Sequence, residues 1–151
     1  MRRSPKWISR QAALAIHERL LAEHGGAPGL LDEGLLDSAL ASPKNKFAYE
    51  RADIPRLAGA YAYALTQNHP FVDGNKRVAL TVAGVFMELN GLRLTASEQD
   101  AAHATRALSS RELDEGEFAN WLRGSSSKLS VVRRRKPRKA PTQRRKKPRN
   151  K

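Results

Sequence analysis

The chain has 151 residues, enough for one domain with its own hydrophobic core. It contains no cysteine, which excludes disulfide staples, thiolate metal sites and cysteine nucleophiles, and fits a reducing compartment. The net charge of +13 is concentrated at one end: residues 1–123 balance 15 Lys and Arg against 15 Asp and Glu, and residues 124–151 carry the other 13 basic residues with no acid. The apolar stretches are too short to span a bilayer, and no apolar segment follows the basic Met1-Arg2-Arg3 as a secretory signal would require. These features predict a cytoplasmic protein without membrane contact, folded over 1–123 and ending in a tail over 124–151.

No internal repeat is visible, and the folded part reads as helices joined by short links, an all-α class. Ser9 can cap a first helix running to about Glu23, with Ala13, Ile16 and Leu20 on one stripe. Gly25-Gly26-Ala27-Pro28-Gly29 ends it. Asp32 offers a cap for a short helix carrying Leu35, Leu36, Ala39 and Leu40, which Pro43 is expected to stop. The stretch to Arg51, with Phe47 and Tyr49, reads as irregular. Asp53 and Pro55 pair a cap with a first-turn proline and open a helix that must end near Asn68, because Pro70 disfavours helical geometry at His69. From Asn75 to Leu89 apolar residues run almost all round the helix, which predicts a buried central helix. Asn90-Gly91 stops it, and Leu92 to Thr95 reads as a short extended piece. Helices over about Ser97–Leu108 and Asp114–Arg123 complete the folded part. Trp7, Tyr61, Tyr63, Phe86, Phe118 and Trp121 fall at packing positions, whereas His17, His24 and His103 lack a partner pattern and read as surface or half-buried residues.

The segment His69 to Arg77 carries the chemistry. A helix N-terminus presents unpaired N–H groups and the positive end of the dipole, and binds phosphate readily. Gly74, in the loop leading into this helix, allows close backbone approach to a ligand. Lys76 and Arg77 in the first turn oppose the dipole, a placement that makes sense when a polyanion sits there. Asp73 is a hard carboxylate of the kind that holds Mg²⁺ beside phosphates. His69 supplies an imidazole, the side chain best suited to accept a proton near neutral pH. Base, metal carboxylate, anion hole and two cations within nine residues suit phosphoryl or nucleotidyl transfer to a hydroxyl. Read without that company, Asp73-Gly74-Asn75 is a turn and a helix cap.

The stretch His69-Pro70-Phe71-Val72-Asp73-Gly74-Asn75-Lys76-Arg77 resembles the signature of the Fic/Doc superfamily, His-x-Phe-x-(Asp/Glu)-Gly-Asn-(Gly/Lys)-Arg. Residues 29–40, Phe47-Ala48-Tyr49-Glu50, and the segments Val78-Ala79-Leu80 and Asn90-Gly91-Leu92 are similar to death-on-curing (Doc) toxins, so the resemblance covers about residues 6–123. It implies an all-α, Fic-type helical bundle. It also implies ATP and Mg²⁺, with His69 as general base, Asp73 as metal ligand, and Gly74, Asn75, Lys76 and Arg77 around the phosphates. Phe71 would pack the motif into the core.

Two departures from the adenylylating Fic pattern are shared with Doc toxins: Lys76 stands where that pattern has Gly, and Leu80 where it has a second Arg. The resemblance therefore implies transfer of the γ-phosphate to a Ser or Thr hydroxyl, with elongation factor Tu as the expected target and a cognate antitoxin as partner. Adenylylation is the alternative, kept open by Gly74. Ser110 to Gly116 nearly fits the inhibitory Fic helix, with Glu115 as its glutamate; the other reading is a helix start whose acids favour the dipole. The tail has three prolines, no aromatics and few apolar residues, and is expected to be disordered. Its Lys and Arg runs suit non-specific nucleic-acid contact without base stacking, so an idle Fic fold acting through this tail is the remaining alternative.

Overall fold

The computed structural model describes residues 3–129; the greater part of the basic tail, whose disorder was expected, lies outside them. The described part is helical, with α1 Arg10–His24, α2 Glu33–Tyr49, α3 Ile54–Asn68, α4 Asn75–Leu89, α5 Glu98–Ser109 and α6 Glu115–Gly124. Two short strands, β1 Leu92–Leu94 and β2 Ser126–Lys128, pair antiparallel. No helix among the described residues is long and apolar enough to cross a membrane.

Capping chemistry sets most helix starts. The side chains of Ser9, Asp32, Asp53, Ser97 and Asp114 each accept from a backbone N–H three residues on, and Asp114 closes a full capping box with Glu117. Pro55 occupies the first turn of α3, where its missing N–H costs nothing.

Pro43 does not stop α2, which continues through it to Tyr49. A proline in a helix interior forfeits one hydrogen bond and costs about 3 kcal/mol. Here Leu36, Ala39, Leu40 and Pro43 are all buried on one stripe, and half-buried Phe47 extends it one turn further. Burial of that stripe offsets the local penalty.

The centre of the bundle is shared by α3 and α4. α3 packs against α2, α4, α5 and α6, and its run Ala58, Gly59, Ala60, Ala62 and Ala64 lets those helices approach closely. A Cβ on Gly59 would lie 3.1 Å from Ala119 Cβ of α6. α4 buries Val78, Ala79, Val82, Ala83, Phe86 and Met87, but Leu89 is exposed, so it keeps a solvent side that the sequence pattern did not show. The segment before α1 is pinned to this core. Trp7 stacks on Phe86 at 5.8 Å and meets Phe47 edge-on, and Ile8 N–H donates to the Tyr61 hydroxyl at 2.9 Å. Burial pushes the Tyr61 hydroxyl up to about 12.

The fold extends beyond the expected boundary at residue 123. β2 lies against β1, Thr95 N–H donates to Ser125 O, and Leu129 N–H donates to Gly91 O. The extended piece at Leu92 is thus a strand because residues 126–128 supply its partner, in a register that runs from Leu92 against Lys128 to Leu94 against Ser126, a long-range pairing that local composition does not announce.

Asp53 both caps α3 and receives a two-pronged bond from Arg123 at 2.7 and 2.9 Å. The Arg123 hydrogen bonds hold its carboxyl below the ordinary 3.8. Asp53→Ala should lower unfolding free energy by about 1 kcal/mol at neutral pH, mostly from the lost cap, since an exposed pair adds little. Because the folded value is depressed, this contribution is present above 3.8 and is lost as pH falls through the lower folded value. Urea unfolding of parent and variant should therefore converge in acid.

Candidate active site

α3 ends where Pro70 forbids right-handed helix at the preceding residue, and His69 turns left-handed at φ 51°, ψ 57°. The loop then runs back toward the segment after α1. Pro70 O accepts from Leu31 N–H at 2.7 Å, Val72 N–H donates to Gly29 O at 3.0 Å, and Leu30 and Phe71 form an antiparallel bridge. Phe71 is 1% exposed and anchors the loop in the core, as the sequence predicted.

Asn75 fixes the turn into α4. Its carboxamide is 4% exposed, accepts from Phe71 N–H at 3.0 Å and donates to Phe71 O at 2.8 Å. The side chain is therefore committed to the loop, and only its N–H is left for a ligand. Gly74 adopts φ 84°, ψ 13°, a conformation suited to glycine, and caps α4 without a side chain. Its own N–H is given to Asp73 Oδ1 at 2.8 Å, so its contribution is the turn.

Asp73 is exposed yet held. Oδ1 accepts from Gly74 N–H, and Oδ2 accepts from Ala27 N–H at 3.1 Å. These two bonds, with nearby Arg77 and His17 adding to them, keep the carboxyl below its usual range. A carboxylate so placed stays ionised at any physiological pH and still has lone pairs to offer. The loop after α1 is shaped for it: a Cβ on Gly26, at φ 121°, would stand 2.8 Å from Asp73 Oδ2.

The first turn of α4 points three N–H groups, those of Asn75, Lys76 and Arg77, out of the helix; Val78 is the first whose N–H is bonded back, to Gly74 O. The turn contains no acid, and Lys76 and Arg77 are exposed, with no salt bridge among the described residues. His69 is exposed at the mouth of the same loop, and its imidazole makes no hydrogen bond among the described residues. A general-base candidate, a carboxylate held by backbone and a cationic helix end thus lie on one continuous stretch, residues 69–77.

Glu115 faces elsewhere. Its Oε2 lies 3.3 Å from Lys46 Nζ and 3.8 Å from Arg56 Nη1, on the side where α2, α3 and α6 meet. It serves the start of α6, as the dipole reading expected.

Sequence reasoning missed His17. It is 4% exposed, its Nε2 lies 2.9 Å from Asp73 O, and its ring stacks on Phe71 at 3.9 Å. The available signal was its place four residues after buried Ala13, on the inward stripe of α1. His24 and His103 are exposed, in keeping with their surface reading.

Asn75→Ala should leave the buried N–H and C=O of Phe71 without partners, at about 1–3 kcal/mol each. The expected result is a lower urea midpoint with an unchanged slope. Gly26→Ala, strained at φ 121° and close to Leu21 as well, should lower the urea midpoint and displace Asp73, seen as a changed Asp73 carboxyl titration by NMR.

Comparison with known proteins gives the family. The family model described as Fic/DOC family matches residues 7–87. Protein kinase doc of Escherichia phage P1 is 30% identical over 117 residues, which is 77% of this chain and 92% of that protein. Toxin Doc of Mycolicibacterium smegmatis is 43% identical over 75 residues, 48% of this chain and 57% of that protein.

Proposed function

The chain belongs to the Fic/DOC family, and on that premise we propose that it is a Doc-type toxin that transfers the γ-phosphate of ATP to a Ser or Thr hydroxyl of a cytoplasmic protein. The observation that carries this reading is the start of α4: three outward N–H groups and two cations with no ion-pair partner among the described residues, beside a carboxylate held by backbone. A helix end of this kind is built for a polyanion, and cations there would otherwise oppose the dipole.

The residues fit Mg²⁺. Among the described residues no group of three metal-ligating side chains exists, so the ion would draw on Asp73, phosphate oxygens and water, its usual company. When bound, Mg²⁺ would neutralise charge on the phosphates and polarise them. The protein's own residues do the rest. N–H groups of Asn75, Lys76 and Arg77 hold phosphate oxygens, and Arg77 meets the charge that grows on the leaving group. His69 takes the proton of the incoming hydroxyl as its oxygen bonds to the γ-phosphorus, while the bond to the β-phosphate oxygen breaks and ADP leaves.

Lys76 and Leu80 favour γ-phosphate over AMP transfer. The lysine crowds the site where adenylylating relatives leave room, and half-buried Leu80 cannot offer a guanidinium to a polyphosphate. The relative named as a protein kinase supports the same choice. Elongation factor Tu is the proposed target, and a cognate antitoxin the proposed partner, in keeping with the relative named as a toxin.

A second reading concerns the tail. The described chain runs out at Leu129 beside Gly91, beyond the C-terminal end of α4, about 22 Å of helix from Asn75. The Lys and Arg runs that follow suit non-specific nucleic-acid contact.

Incubation with a cell lysate, Mg²⁺ and ATP labelled at the γ or α position tests both. Protein label from γ-labelled ATP alone is expected; label from α-labelled ATP means adenylylation. His69→Ala should cut transfer by roughly 10²–10⁴-fold, and a variant as active as the parent sinks the mechanism. No label with either ATP, together with salt-sensitive RNA binding lost on deleting residues 130–151, would instead favour an idle fold acting through its tail.

A further inference from the structure

We propose that His17 is a positioning residue for the transfer reaction: its Nε2–H holds the main chain of Asp73, and so aims the carboxylate. The inference rests on reading Asp73 as the group that meets the metal-bound phosphates.

Asp73 is exposed and cannot be fixed by packing. One of the bonds to its carboxylate comes from Gly74, its own neighbour, which moves with it. Among the described residues two bonds tie Asp73 to the rest of the fold, both from α1 and the loop after it. Ala27 N–H reaches Oδ2 at 3.1 Å, and His17 Nε2 reaches the carbonyl oxygen at 2.9 Å. A carbonyl only accepts, so this bond requires the proton on Nε2 and fixes the tautomer.

The ring also touches the loop on either side. It lies 3.9 Å from the Phe71 ring at an interplanar angle of 16°, and its Cδ2 and Nε2 stand 3.7 and 3.8 Å from where a Gly74 Cβ would be. One imidazole thus contacts positions 71 and 73 of the motif, and faces the side of Gly74 where a Cβ would stand, from a helix residue 56 positions before Asp73. Packing alone would be served by phenylalanine, which stacks equally well and buries no polar nitrogen. The N–H is what histidine adds.

Two full-chain variants separate ring from donor. His17→Phe keeps the stack and removes the N–H; His17→Gln keeps an amide N–H of similar reach and removes the ring. Amide hydrogen exchange of Ala27 and Gly74, whose N–H groups bond the Asp73 carboxylate, is measured without nucleotide. Label transfer from Mg-ATP gives kcat and the KM for the protein acceptor. In His17→Phe, exchange at both amides should quicken and kcat should fall roughly 10–100-fold, with KM unchanged, the usual scale for a group that orients a metal ligand. His17→Gln should recover most of both. Parental exchange and kcat in His17→Phe would overturn the proposal. Equal losses in the two variants would overturn it as well, since the ring and not the N–H would then matter. A parent that transfers no label defeats the phosphotransfer reading by itself, while the exchange rates still decide whether the His17 N–H holds Asp73.

Discussion

The structure depends on a buried carboxamide. Asn75 occupies both backbone polar groups of Phe71, and by doing so converts a flexible proline- and glycine-bearing stretch into one closed turn. Burying an N–H and a C=O without partners would cost several kcal/mol, so the turn and the side chain require each other. Phe71 can enter the core only because Asn75 satisfies its backbone there. Once Phe71 is seated, Asp73 and the start of α4 fall into place on the surface above it.

That arrangement explains a charge pattern that is unfavourable taken alone. α4 begins with two cations and no acid in its first turn, against its dipole, and neither cation has an ion-pair partner among the described residues. The opposite choice is made elsewhere in the same chain. α5 and α6 place Glu98, Asp100, Glu115 and Glu117 in their first turns, where they stabilise the helix. α1 and α3 also lack a first-turn acid, but their Arg10 and Arg56 are ion-paired, to Glu33 and to Glu50 and Glu115, so among the described residues it is α4 whose first-turn cations have no such partner, and there a ligand anion would complete the balance.

Support for the loop comes from distant sequence. α1 contributes His17, the following loop contributes Gly26 and Ala27, and Gly29 to Asp32 lie along Pro70 to Val72. The glycine-rich segment is more than a helix stop: Gly26 has no side chain because Asp73 needs the space. A rigid bundle with its catalytic candidates on one braced loop fits chemistry in which positioning and electrostatics supply most of the rate.

The sequence by itself determined what depends on neighbours within a turn or two. Caps at Ser9, Asp32, Asp53, Ser97 and Asp114, the stop at Pro70, and the helical class follow from local hydrogen bonding and periodicity, which are short-range. The candidate loop was legible for the same reason, since its residues are contiguous. Tertiary structure alone decided the rest. Pro43 stays inside α2 because its stripe is buried against α3, an energy no local propensity contains. Residues 126–128 become a strand only because β1 is there to bond, and His17 meets Asp73 and Phe71 only because α1 packs beside a loop 56 residues further along the chain. Contacts between segments far apart in the chain leave no spacing to read, and only folding brings their hydrogen-bond partners within reach.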